Sequence, residues 1–301
     1  MKKMLAAATG LLCLTAQGAH AQSFEQQALQ IGRMVSASAR QTRQAASASQ
    51  AGSAAARACG EGCAPGAINP AEALNEAKVG VAAKFVSIKP GEFEMGSPEN
   101  EADRGDDEIQ HRVALTAGYE IQATAVTQLQ YLLVMGRSPA YFRWEENCDS
   151  GNFRAVYGLS LCAHHPVEAV RWDDAQTFIE RLNAAQSRHT YRLPTEAEWE
   201  NAARAGAPSH FPYSFGFNET GELNRHAWHN DNSDGRTHAV GTKKANRWGL
   251  YDMYVNVWQW TGDYYGGYPA TAVENPAGPM TGSNRVVRGG SWRHMPGSPR
   301  S

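Results

Sequence analysis

The sequence predicts an α+β domain, rich in loops and built from short strands and two to three helices. Three observations support this. Few segments carry helical periodicity, and those that do are well capped; the strand-like apolar runs are only four or five residues long; and beyond Gly206 the chain is dominated by Gly, Asn, Asp and Trp. All 8 tryptophans lie after residue 140, in a chain with 29 glycines, which suits a turn-heavy fold better than a helical bundle.

The elements follow in order. Residues 85–88 are predicted to be a strand, closed by Lys89-Pro90-Gly91-Glu92, with 93–96 as its hairpin return. Residues 99–108 form an acidic polar loop, and 112–115 and 119–121 are further short strands. Residues 127–135 have helical spacing, with Leu129, Leu132 and Leu133 on one face. A second helix spans 173–185, capped by Asp173 or Asp174, and buries Ala175, Phe178, Ile179 and Leu182. Thr195-Glu196-Ala197-Glu198 opens a third helix as a capping box. Strands are expected near 256–260 and 285–288.

Upstream, residues 1–21 read as a secretory signal: Lys2 and Lys3, then a short apolar run, then the small-x-small site Ala19-His20-Ala21. The run is far short of the roughly 20 residues that a bilayer span needs, so no membrane span is expected there or elsewhere. The expected location is periplasmic or secreted. Residues 22–83 are rich in Ala, Ser, Gln and Arg and poor in large apolar groups, so they read as a linker or stalk. The folded domain is expected at 84–301. Lys plus Arg number 28 against 30 for Asp plus Glu, which argues against a nucleic-acid partner. After signal cleavage four cysteines remain. An oxidising compartment favours a Cys59–Cys63 ring and a Cys148–Cys162 staple over a metal site, because no further ligands lie nearby.

Five blocks then carry a resemblance. They are Phe93-Glu94-Met95-Gly96-Ser97; His165-Pro166-Val167 with Val170 and Trp172; the run from Tyr191 to Glu200; Gly249-Leu250-Tyr251-Asp252-Met253 with Asn256-Val257-Trp258-Gln259-Trp260; and the run from Arg285 to Trp292. In this order they resemble the formylglycine-generating-enzyme, or sulfatase-modifying-factor, family. The resemblance implies a variant of the C-type-lectin fold. In the oxidases of that family a cysteine pair follows the Gly-Gly-Ser turn and binds copper(I), the soft-ligand preference of thiolates. Here that segment holds no cysteine, and His294 with Met295 makes only a two-ligand tail. The spacing from Trp292 to Arg300-Ser301 resembles the non-oxidase branch, and the family's closing strand is not reached, so the C-terminus is expected to be incomplete.

The same resemblance implies calcium as a candidate cofactor, held by the carbonyls of Tyr254, Val255 and Val257 with Gln259, which replaces a glutamate. Asn224 and Asp234 fall where a second site is implied. With no alternative catalytic constellation in the sequence, the expectation is an exported, non-catalytic binding or accessory protein for a peptide, glycan or partner protein. Its expected contact residues are Trp292, Arg293, His294 and Met295, with Tyr264 and Tyr265 nearby. The alternative is an oxidase whose chain continues into a cysteine-bearing segment.

Overall fold

The computed structural model describes residues 10–12, 15–17, 83–101, 104–156, 158–184, 190–208, 213–214 and 221–295. The elements are short. They are β1 (Gly10–Leu12), β2 (Thr15–Gln17), β3 (Phe85–Ile88), β4 (Gly91–Met95), β5 (His111–Leu115) and β6 (Tyr119–Gln122), then α1 (Gln128–Met135), a 3-10 turn (Glu145–Asn147), β7 (Phe153–Val156) and β8 (Leu159–Cys162). After these come α2 (Trp172–Ala184), β9 (Thr190–Arg192), α3 (Glu196–Arg204), α4 (Leu223–His226), β10 (Trp258–Tyr264), β11 (Val273–Glu274) and β12 (Arg285–Arg288). This is the mixed α+β, loop-rich architecture expected.

Four small sheets carry the strands. One runs β3-β6-β2-β9, another β4-β5-β11, a third β1-β10-β12, and β7 pairs with β8. In the first, Thr15–Gln17 bridges two partners, so β6 and β9 are neighbours of one strand and not of each other. Apart from the backbone of β1 and β2 and residue 83, the expected leader at 1–21 and linker at 22–83 fall outside the described residues, as does the Cys59–Cys63 ring.

The expected hairpin across residues 85–96 does not form. β3 pairs antiparallel with β6, Ile88 opposite Tyr119, whereas β4 pairs with β5, Gly91 opposite Leu115. Pro90 has no N–H with which to continue a ladder, so the chain crosses from one sheet to the other there.

Helix α1 starts from Thr127, whose hydroxyl accepts the Gln130 N–H while Gln130 caps back, and it ends at left-handed Gly136. All eight of its residues are buried, so it is a core helix and not the one-faced helix its leucines suggested. Tyr131 on α1 stacks on Phe178 of α2 at 5.5 Å, beside Val167, Leu182, Tyr191 and Trp260. Helix α3 keeps the predicted Thr195–Glu198 capping box and sets Trp199 at the centre of a second core with Ile121, Val113 and Leu250. Full burial of such aromatic and branched side chains contributes roughly 2 kcal/mol or more each, and these two cores fix the loops between them.

Candidate functional site

An exposed aromatic surface lies between α1 and the 3-10 turn. Tyr141 is 74% exposed and Trp144 49%, so burial in the core does not explain these two. Phe142, buried between them in sequence, meets Tyr141 edge-on at 5.0 Å and Trp292 edge-on at 5.3 Å. Trp292 follows the Gly289-Gly290-Ser291 turn. Gly289 sits at φ +92°, where a Cβ would lie 3.1 Å from Met253 O, so the turn needs glycine. The Trp292 N–H donates to Asn256 O (2.9 Å), and Ser233 Oγ donates to Trp292 O (3.0 Å). His294 places Nδ1 3.0 Å from Ser291 Oγ and meets Trp258 edge-on at 5.0 Å. Met295 is 58% exposed. Together Tyr141, Phe142, Trp144 and Trp292 form an aromatic shelf, with a shallow hollow of about 580 Å³ between Tyr141, Arg143, Trp144, Glu146 and Ala169.

A frame of buried polar contacts holds the shelf from behind. The Phe142 N–H donates to Glu168 Oε1 (2.8 Å), and Gln128 Nε2 donates to Phe142 O (2.8 Å). Gln128 Oε1 also accepts the Cys162 N–H at 3.0 Å. A disulfide joins Cys148 to Cys162, with Cα atoms 5.1 Å apart, so the far end of the loop is cross-linked to β8. Next to it, Asp149 accepts from Arg236 Nη1 (2.7 Å) and the Ala239 N–H (2.8 Å) and lies 2.9 Å from His238 Nδ1. Burial works against the Asp149 carboxylate, but the hydrogen bonds from His165, His238, Ala239 and Arg236 outweigh it and hold its pKa far below the usual range. Burial lowers the pKa of His165. Burial raises that of Glu168 to about 7, against the pull of the Phe142 and Tyr141 N–H groups and Arg143.

Across Trp258 lies a different feature, a cavity of about 500 Å³ lined by Glu196, Glu200, Tyr265, Tyr268, Arg288 and the Gly289-Gly290 backbone. Arg288 donates to Glu196 (2.7 Å), Glu200 (2.8 Å) and Tyr268 Oη (2.8 Å). Glu200 also accepts from Arg204 Nε (2.8 Å) and the Gly96 N–H (2.9 Å). Gly96 is glycine for cause: at φ +89° a Cβ would lie 2.8 Å from Ile109 O. Every charged group on the floor of this cavity has a partner of its own.

The expected contact residues divide between the two features. Trp292, Arg293, His294 and Met295 border the shelf, whereas Tyr264 and Tyr265 belong to the cavity side. The Arg285 guanidinium lies 3.4 Å from the Tyr264 ring centre, and the Tyr265 hydroxyl donates to Asp107.

The Gln259 side chain does not fit the calcium-binding role expected of it. The Gln259 carboxamide oxygen accepts the Trp199 indole N–H (2.9 Å), and its nitrogen donates to Asp252 O (2.9 Å), so it turns no oxygen toward a cation. Tyr254 is buried, its hydroxyl donating to Ala203 O at 3.0 Å. Val255 sits at φ 63° with its N–H on Gly289 O, and Val257 donates back to Val255 O (2.9 Å), so that carbonyl is engaged. Asn224 Oδ1 is 2.6 Å from His229 Nε2, and Asp234 occupies an exposed turn at φ 51°. Nor does the turn after Gly290 fit copper(I): its described residues offer no thiolate, and His294 Nδ1 faces Ser291. Among the described residues, no group of three or more His, Cys, Asp or Glu side chains could hold a metal ion.

Sequence reasoning missed Tyr141, Phe142, Trp144 and their support Glu168. The signal was present as three aromatics in four residues directly after a helix stop.

Residues 70–301 match the family model of the sulfatase-modifying factor enzyme 1-like domain. The formylglycine-generating enzyme of Thermomonospora curvata is 35% identical over 144 residues, which are 43% of this chain and 45% of that relative. The chain spans between a third and a half of the first curated relatives it matches, at 45%, 33% and 36% of their lengths. Among solved structures, Treponema denticola variable protein 1 aligns at TM-score 0.56 and 27% identity, covering 70% of this chain and 84% of that one. PvdO from Pseudomonas aeruginosa aligns at TM-score 0.58 and 27% identity, covering 72% and 85%.

Proposed function

We propose a function from one premise: the chain belongs to the sulfatase-modifying-factor family, the family of the formylglycine-generating enzymes. Our reading is an exported, non-catalytic binding or accessory module that recognises its ligand on the aromatic shelf. The observation that carries it is the exposure of Tyr141 and Trp144 beside Trp292, on a loop anchored by a disulfide, a buried carboxylate and a buried carboxamide. Rigid aromatic side chains suit recognition because they present large areas and lose little conformational freedom on binding. The turn after Gly290, where family oxidases carry their cysteines, offers no thiolate among its described residues, which supports a role without oxidation.

The test is a binding screen of the purified full chain against immobilised peptides and oligosaccharides. Saturable binding is expected, weakened at least tenfold by Trp292→Ala with an unchanged circular-dichroism spectrum. A screen with no saturable ligand would leave a purely structural envelope protein. Conversion of a Cys-x-Pro-x-Arg peptide to the aldehyde in the presence of copper(I) would establish an oxidase instead. Export has its own test, since the secreted chain should begin at Gln22. Cleavage there would remove β1 and β2, and with β2 the strand that pairs with both β6 and β9.

A further inference from the structure

We infer that the shelf takes an anionic glycan, with Arg143 and Arg293 receiving its carboxylate or sulfate groups; this rests on the binding reading above. The Arg143 guanidinium lies 5.1 Å from the Trp144 ring centre, and that of Arg293 lies 5.3 Å from the Trp292 ring centre. Phe142, two residues before Trp144, meets Trp292 edge-on at 5.3 Å and so ties the loop that carries Trp144 to the Gly289-Gly290 turn. Each guanidinium is therefore positioned by an aromatic face while its donors are left uncommitted. Arg143 makes one long contact, 3.5 Å to Ser138 O, and Arg293 makes none among the described residues. By contrast, Arg192, Arg204, Arg236 and Arg288 each donate to a carboxylate at 2.6–2.8 Å.

A stacked guanidinium is a planar fork that matches a carboxylate or sulfate, and cation–π contact pre-orients it. The intervening ring faces suit the C–H faces of pyranose rings. Residues 139–147 contain no strand, so the shelf lacks the row of backbone groups that would extend a peptide by strand addition. Glu145 and Glu146 share the loop and are exposed, and neither is paired with Arg143 or Arg293 among the described residues. Their charges offset those of the two arginines, so recognition here depends on directed guanidinium bonds and not on a basic field. Binding should accordingly weaken with salt only by the amount expected of two contact pairs, far less than for an extended basic surface.

The experiment compares oligogalacturonate, a sulfated oligosaccharide and a neutral malto-oligosaccharide of equal length, titrated into the full chain at two salt concentrations. An acidic sugar should bind at least tenfold more tightly than the neutral one. Arg143→Gln and Arg293→Gln should each weaken it roughly tenfold, the scale of one lost charge-assisted bond. The double variant should bind both sugar classes alike, with circular dichroism and thermal midpoint checking that it folds. Equal affinity of the wild type for neutral and acidic sugars would refute the guanidinium assignment while leaving the shelf as a binding site. Binding confined to peptides would refute the glycan class, and a shelf that binds nothing would remove both readings.

Discussion

The cavity beneath Arg288 and the shelf around Trp292 are neighbours across Trp258, yet their polar groups stand in opposite conditions. In the cavity, Arg288, Glu196, Glu200, Arg204 and Tyr268 satisfy one another, and Glu200 is almost wholly buried. On the shelf the frame is satisfied from behind, while Arg143 and Arg293 form no ion pair among the described residues. The cavity is thus a structural joint between β4, α3 and β12, and the shelf is the surface with chemistry left over.

The comparison can be broken at its strongest point first. Glu200→Ala leaves Arg288 and Arg204 buried without their shared carboxylate and should cost about 3–5 kcal/mol, the penalty of breaking a buried ion pair. Chemical denaturation would measure it, and a loss under 1 kcal/mol would show the cavity is no joint. Opening the Cys148–Cys162 link by a double serine substitution frees a loop of sequence separation 14 and should cost roughly 3 kcal/mol. It should also weaken ligand binding, which Glu200→Ala should not do in protein that remains folded.

The frame can next be tested by pH. Burial raises Glu168 from the ordinary 4.5 to about 7, so the folded protein holds a proton that the unfolded chain releases. Its stabilising contribution is complete below the unfolded value and is lost as pH rises through about 7, on the order of 2 kcal/mol between pH 5 and 8. Burial pushes Asp263 to about 7 and Asp252 to about 6, and both act in the same direction. His165, His226 and His229, lowered by burial, act the other way as pH falls below the unfolded histidine value, so the test is a difference: from pH 5 to 8 the wild type should lose stability relative to Glu168→Gln. The smallest effect belongs to the outward rings. Tyr141→Ala and Trp144→Ala should shift stability by less than about 0.5 kcal/mol while removing most ligand affinity. A large stability loss there would mean the rings are core after all.

How much of this was legible depended on how local the signal was. Helices α2 and α3 were readable because spacing and a capping box lie within a dozen residues. Ala175, Phe178, Ile179 and Leu182 are buried as expected. The β7–β8 hairpin was readable in principle from Gly158, which sits at φ +78° in its turn, but short strands of mixed polarity gave no alternation to mark them. Pairing partners were the least legible: β3 finds β6 across more than thirty residues, and nothing in its four residues names that partner. At the site, Trp292 was found through its place after Gly289-Gly290. Phe142 was not, because its contact with Trp292 joins residues 150 positions apart. The partner of Gln259 was equally illegible, because its side-chain oxygen accepts from Trp199, sixty residues away.

One further consequence follows from how the shelf is fastened. Its anchors are the backbone of Phe142, a sulfur bridge and the carboxylate of Asp149, none of which uses the side chains of Tyr141, Arg143 or Trp144. Those three positions can therefore change identity without disturbing the body that carries them. A lineage could retarget the protein by a few substitutions, and a laboratory could randomise the same positions as a compact display library.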